Sequence, residues 1–313
     1  MNAPMTELFS RASAYSGGPP DANLREATAH FLGAVGETPA LATEAADAMG
    51  DLPPEGAGWV SIVLGAAVEG GADAERSVGG ILRVLKAWLD ALPASGTDDE
   101  LTPEQRALVD ALPPLCQGLV AHLARLPERR AELRRDAAFM DRLDAASFHS
   151  YGLGWVHEAA LRQSGALILL HAESGRALRL RYSNVANCFH LFSLIQCAVG
   201  TRLPGGKQPN LHFAALARGE EHGEGYDEAW WHYSTPAPKA EIGASIWGEA
   251  SVASIPRVDD VQVIVVWPTL MGSRSWDTGF FGPQLMALPP DVVVEAELDE
   301  REAAEWMRRL VTE

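Results

Sequence analysis

GALILLHAESGRALRLRYSNVANCFHLFSLIQCAVG, residues 165–200, decides how the second half of this chain folds. It opens with GALILLHA (165–172), a continuous apolar run fit for a buried strand. After ESG the segment ALRLRYS alternates, with Leu178, Leu180 and Tyr182 on one face and Arg179 and Arg181 on the other. Gly175 stands where a hairpin turn needs positive φ, so the pattern predicts a β-hairpin over 165–183. The rhythm then changes. In NVANCFHLFSLIQCAVG (184–200) a helical projection places Cys188 with Phe192, Ile195 and Val199, an apolar face. His190 shares a second stripe with Ser193 and Cys197. Ser183, Asn184 and Asn187 are the candidate N-caps. This reads as the central core helix of a domain.

Working outward, AWWHYS (229–234), VQVIVVWP (261–268) and DVVVEAEL (291–298) are further strands. The chain closes with DEREAAEWMRRLV, where Asp299 and Glu302 have capping-box spacing and Trp306, Met307, Leu310 and Val311 form an apolar face. Ahead of Gly152 the character differs: Ala-rich helices alternate with Pro/Gly punctuation. GWVSIVLGAAVEGG (58–71) and ERSVGGILRVLKAWLDALP (75–93) read as a helical pair, the second with a buried stripe of Val78, Ile81, Leu82, Leu85, Trp88 and Leu89. Thr102 and Pro103 suit the N-cap and first position of the next helix, and Pro113–Pro114 is expected to end it before QGLVAHLARL. The segment from Arg125 to Arg142 carries six arginines among Glu128, Glu132, Asp136 and Asp141. It reads either as an anion-binding arginine face or as a solvated helix stitched by i,i+4 pairs, and the near balance of charges favours the second. The expected fold is α+β: a helical domain over 1–150, then an α+β domain over 151–313. In the latter, a largely antiparallel sheet packs on the central helix 184–200 and a C-terminal helix.

Composition narrows the function classes. The chain has 313 residues and a formal charge of −17, so nucleic acid and anionic membrane surfaces would repel it in bulk. Three cysteines (Cys116, Cys188, Cys197) cannot make a disulfide framework, and MNAPMTELFSRASAYSGGPP lacks the basic start and apolar stretch of a secretory signal. A soluble, cytoplasmic setting is the expectation. Only Lys86, Lys207 and Lys239 are lysines among 25 basic residues, a bias that points to a GC-rich bacterial genome.

Chemistry has few places to sit. A thiolate at a helix N-terminus is stabilised by unpaired N–H groups, and Cys188 is the first helical residue if Asn187 caps. The arrangement resembles the opening of the transglutaminase and papain-like cysteine hydrolase core, where a cysteine begins a buried helix and a histidine and an acid follow on strands. That resemblance implies a hydrolase or acyl transferase with Cys188 as nucleophile. The family's His-Ala-Trp triplet is met here by Glu228-Ala229-Trp230, which leaves the base to His232 or His212. His190 cannot serve, because residues two apart point to nearly opposite sides of a helix. No HxxxH, HExxH or CxxC is present, and His222 sits among acids in ARGEEHGEGYDEA, a glycine-rich solvated excursion without EF-hand order. Neither a metal site nor a cofactor is expected, and the common nucleotide signatures are missing from the sequence.

The remaining candidate is WPTLMGSRSWDTGFFGP (267–283), an aromatic-rich connection around Arg274 and Trp276, joined by Trp247 and Glu249 of SIWGEAS. Arg and Trp are the side chains most enriched at binding hot spots. The preferred reading is therefore a non-enzymatic interaction protein that binds a protein partner or a small ligand through Trp247, Glu249, Arg274 and Trp276. The cysteine hydrolase is the alternative.

Overall fold

The structure, a computed structural model, describes residues 2–93, 101–227, 230–237, 239–270, 274–277 and 286–312, and of residues 225–227, 274–277 and 310–312 the backbone alone. The chain forms two compact units, Met1–Leu161 and Arg162–Glu313. A boundary at 150/151 would pass just ahead of helix Tyr151–Leu161, which packs with the helices of the first unit.

The first unit is helical: α1 (Ala3–Ser13), α2 (Ala22–Glu37), α3 (Ala40–Ala48), α4 (Pro54–Glu69), α5 (Glu75–Ala91), α6 (Pro103–Arg125), α7 (Pro127–Arg135), α8 (Ala137–Ala146) and α9 (Tyr151–Leu161). Its axis is the crossing of α4 on α6, where small residues let the backbones meet. A Cβ on Gly65 would come within 3.0 Å of the Gly118 Cα, and one on Gly58 within 2.9 Å of the Pro114 ring. A Cβ on Gly118 would strike the Ser61 carbonyl, and the Ser61 hydroxyl donates to Leu115 O at 2.8 Å. This contact explains one difference from the sequence pattern. Pro113 and Pro114 do not break the chain; α6 runs through both, closed at its start by a Thr102–Gln105 capping box. Each interior proline disfavours a helix by ~3 kcal/mol, and the close packing on α4 and α9 offsets it. α4 therefore pairs with α6 rather than with its sequence neighbour α5, which packs on α3 and α6. By length and composition α6 is also apolar enough to cross a membrane, and 56% of its most apolar window is buried in the fold.

The arginine-rich segment is not one solvated helix either. Asp136 ends α7 and starts α8, its carboxylate accepting from Phe139 N at 3.2 Å. Its arginines close other helices. Arg142 donates to Leu89 O at 2.5 Å and Leu92 O at 2.6 Å at the end of α5, where Leu89 O also accepts from Leu92 N at 3.3 Å. Arg134 donates to Ala160 O at 2.8 Å at the end of α9. A helix leaves its last carbonyls without intrahelical donors, so a guanidinium there satisfies acceptors and opposes the dipole.

The second unit is built on the expected hairpin, β1 (Gln163–His171) and β2 (Arg176–Val185), with Gly175 at φ 65°. Next come α10 (Cys188–Val199), α11 (Leu211–Arg218), β3 (Glu224–Asp227), β4 (Trp231–Ser234), β5 (Arg257–Val258), β6 (Val261–Pro268), β7 (Arg274–Asp277), β8 (Asp291–Glu297) and α12 (Glu300–Thr312). The main sheet has the order β4-β6-β1-β2-β8, with β5 also on β6. It is mixed: β1 and β6 run parallel and the other pairs antiparallel. The alternation in β2 divides the core as expected. Leu178, Leu180 and Tyr182 join Leu167 and Leu169 beneath α10, while Ile168 and Leu170 face the other way with Trp306 and Met307 of α12. Asp299 and Glu302 form their reciprocal cap at 2.8 and 3.4 Å; the side chains of Leu310 and Val311 lie outside the described residues.

Two segments read as irregular are partly ordered. Glu224–Asp227, in the presumed excursion, pairs antiparallel with Arg274–Asp277 from the aromatic connection, matching Gly225 to Trp276 and Asp227 to Arg274. Helix α11 carried no clear sequence signal, being only eight residues long.

Candidate functional site

The N-terminus of α10 is where the chemical hypothesis stands or falls. Asn187 is the cap, accepting from His190 N at 2.9 Å, and Cys188 is the first helical residue. The two amides before His190 are also taken: Cys188 N donates to Ala250 O at 3.0 Å and Phe189 N to Gly248 O at 2.8 Å. A helix N-terminus attracts an anion through unpaired N–H groups, and here backbone carbonyls of the 248–250 turn occupy them. The Cys188 thiol is fully buried, contacts Ser251 O at 3.8 Å, and is pushed up to about 12 by that burial. Such a thiol is neutral at physiological pH and poorly nucleophilic.

Neither candidate base reaches it. His212 is exposed in the first turn of α11, with Nδ1 2.5 Å from Glu221 and Nε2 3.2 Å from Glu224 O. Those hydrogen bonds, to Glu221 first, raise its pKa. His232 is buried in β4, its Nε2 3.3 Å from Glu241 O. His190 faces away from Cys188, as the helical projection requires. Its Nε2 lies 2.8 Å from Ala217 O and its Nδ1 3.3 Å from the Arg162 guanidinium. Burial, then the Arg162 charge, lower it to about 3, so it is neutral, with Nε2 donating and Nδ1 accepting. The structure thus does not assemble Cys188, His212 and His232 into a catalytic group. A nucleophile needs a base in hydrogen-bond reach, and the sulfur has none among the described residues.

The turn that closes the helix start carries two of the predicted binding residues. Ile246 N donates to Tyr233 O at 3.0 Å, and Ala250 N to Trp247 O at 3.1 Å. Together with the two carbonyls given to α10, these bonds fix the backbone from 246 to 250. Gly248 lies against the Phe189 ring, where any Cβ would collide. Trp247 and Glu249 flank that glycine and both point outward, Trp247 with 58% of its surface exposed. Glu249 has no ion pair among the described residues. Arg274 and Trp276 lie in β7 by their backbones, and their side chains fall outside the described residues. Sequence reasoning picked Trp247 and Glu249 but missed that their turn closes α10. The available signal was the glycine between two large side chains. Among the described residues no three His, Cys, Asp or Glu side chains converge as metal ligands.

Comparison with protein-family models, curated proteins and solved structures finds no match to this chain.

Proposed function

We propose that the protein is a binding protein whose contact surface is the turn bearing Trp247 and Glu249, with Arg274 and Trp276 as its second element. One observation carries the reading: a large, exposed indole on backbone already fixed by hydrogen bonds. An anchor held in place before association loses little conformational freedom on binding, and tryptophan is among the side chains enriched at such anchors. The formal charge of −17 and Glu249, which has no ion pair among the described residues, favour a partner of basic character. The buried Cys188, with no base in reach among the described residues, weighs against the hydrolase reading.

The test is affinity purification from cells of the source organism with the wild-type chain, Trp247→Ala and Glu249→Ala as baits. The reading expects a discrete species retained by wild type and lost with Trp247→Ala, at an unchanged melting temperature. Equal recovery by wild type and Trp247→Ala overturns it.

A further inference from the structure

The arginine-rich segment also forms one wall of a cleft that the turn at Trp247 does not involve. Between α5 and α7 lies a cavity of 440 Å³, within the span of small-ligand sites, about 300–1,000 Å³. Its floor is apolar, made by Gly79, Leu82 and Leu133. Around it stand Arg83, Lys86 and Arg129, with the carboxylates of Glu132 and Asp136. Three cations and two carboxylates line it; just outside the lining Arg83 also pairs with Asp47 at 3.0 Å and Arg129 with Glu75, so the three cations share four carboxylates.

Both carboxylates already have duties. Asp136 caps α8 and meets Lys86 Nζ at 3.3 Å; Glu132 meets Arg129 at 2.6 Å. Arg129 spans to Glu75 at 3.2 Å with its other terminal nitrogen, and its buried Nε–H has no partner among the described residues. These pairs are part-exposed, and pairs of that kind are weak in water, open to exchange for a better-charged acceptor. At position 79 the cleft is open: a Cβ there meets nothing within 4 Å.

We propose that this cleft binds a small phosphate monoester with an apolar or aromatic alcohol portion. Its phosphate sits at Lys86 and Arg129, and its apolar part rests on Leu82 and Leu133. A dianion with three acceptor oxygens suits a guanidinium fork beside an ammonium better than a carboxylate does.

The probes are phenyl phosphate, inorganic phosphate and phenol, each titrated calorimetrically into the full chain at low salt. Phenyl phosphate is expected to bind saturably at one site, inorganic phosphate more weakly and phenol weakest. Arg129→Gln removes one charge-assisted contact and should weaken phenyl phosphate about tenfold. Gly79→Leu fills the floor from an open helical position and should abolish binding while the protein stays folded by circular dichroism. If Arg129→Gln fails to fold, Lys86→Gln, with its exposed side chain, takes its place with the same expectation. Absence of saturable phenyl phosphate binding overturns the proposal, as does binding that Gly79→Leu and the cation variant leave unchanged.

Discussion

Two neighbouring glycines in α5 should respond to the same substitution with opposite signs. Gly→Ala in a helix interior gains ~1 kcal/mol of propensity. At Gly79 an added Cβ meets nothing within 4 Å, so Gly79→Ala should stabilise by ~0.5–1 kcal/mol. At Gly80 the same methyl runs into the Ala46 carbonyl and comes within 2.7 Å of the Ala46 Cβ. Ala46 is buried in α3, and backbone cannot swing aside as a side chain can, so α3 and α5 must separate along their contact. Overpacking of this kind costs ~1–3 kcal/mol, here at the upper end. Net of propensity, Gly80→Ala should destabilise by ~2 kcal/mol. For a domain of this size 1 kcal/mol moves the melting temperature by about 2–4 °C, so the two variants should differ by roughly 10 °C. Urea and thermal melts followed by far-ultraviolet circular dichroism read this directly, with urea midpoints shifting at constant slope. A Gly80→Ala protein as stable as Gly79→Ala would refute the close approach of α3 and α5.

Further expectations follow from the same contacts. Iodoacetamide at neutral pH should leave Cys188 unmodified in the folded chain, and Cys197, which is partly exposed, should react first; rapid modification of Cys188 would revive the hydrolase. Arg142→Ala removes two hydrogen bonds at the end of α5, leaving Leu89 O with Leu92 N alone, and should lower stability by ~1–3 kcal/mol, seen as a lower urea midpoint. His190 is lowered from 6.5 to about 3, so between those pH values the unfolded chain binds a proton that the folded chain does not. Stability should therefore fall as pH drops through that window, and the His190 ring should remain neutral by NMR at pH 4. His212 is raised by Glu221, so its contribution is complete below the unfolded value and is lost as pH rises through the folded one. Its NMR titration should shift down in Glu221→Gln.

The second unit was largely legible because its signals are local. Alternation in 177–183, a glycine at the turn and the apolar rhythm of 188–199 each act over a few residues and agree with one another. The parallel pairing of β1 with β6 was not legible, since it joins segments about ninety residues apart with no turn to fix their register. Pro113–Pro114 misled for a related reason: propensity is local, and the force that holds α6 together comes from α4. At the candidate site, the helical projection separated Cys188 from His190 correctly. It had no means of showing that carbonyls from residues 248 and 250 would take the amides a thiolate needs.

Those two carbonyls also make the Trp247 turn and the start of α10 a single mechanical piece. Load placed on the indole passes through Gly248 O and Ala250 O to the amides of Phe189 and Cys188. Any molecule that grips the turn should therefore slow hydrogen–deuterium exchange at those two amides, inside the core. On the proposed reading, the interior of this unit would serve as a built-in reporter of events at its surface, whatever molecule binds there.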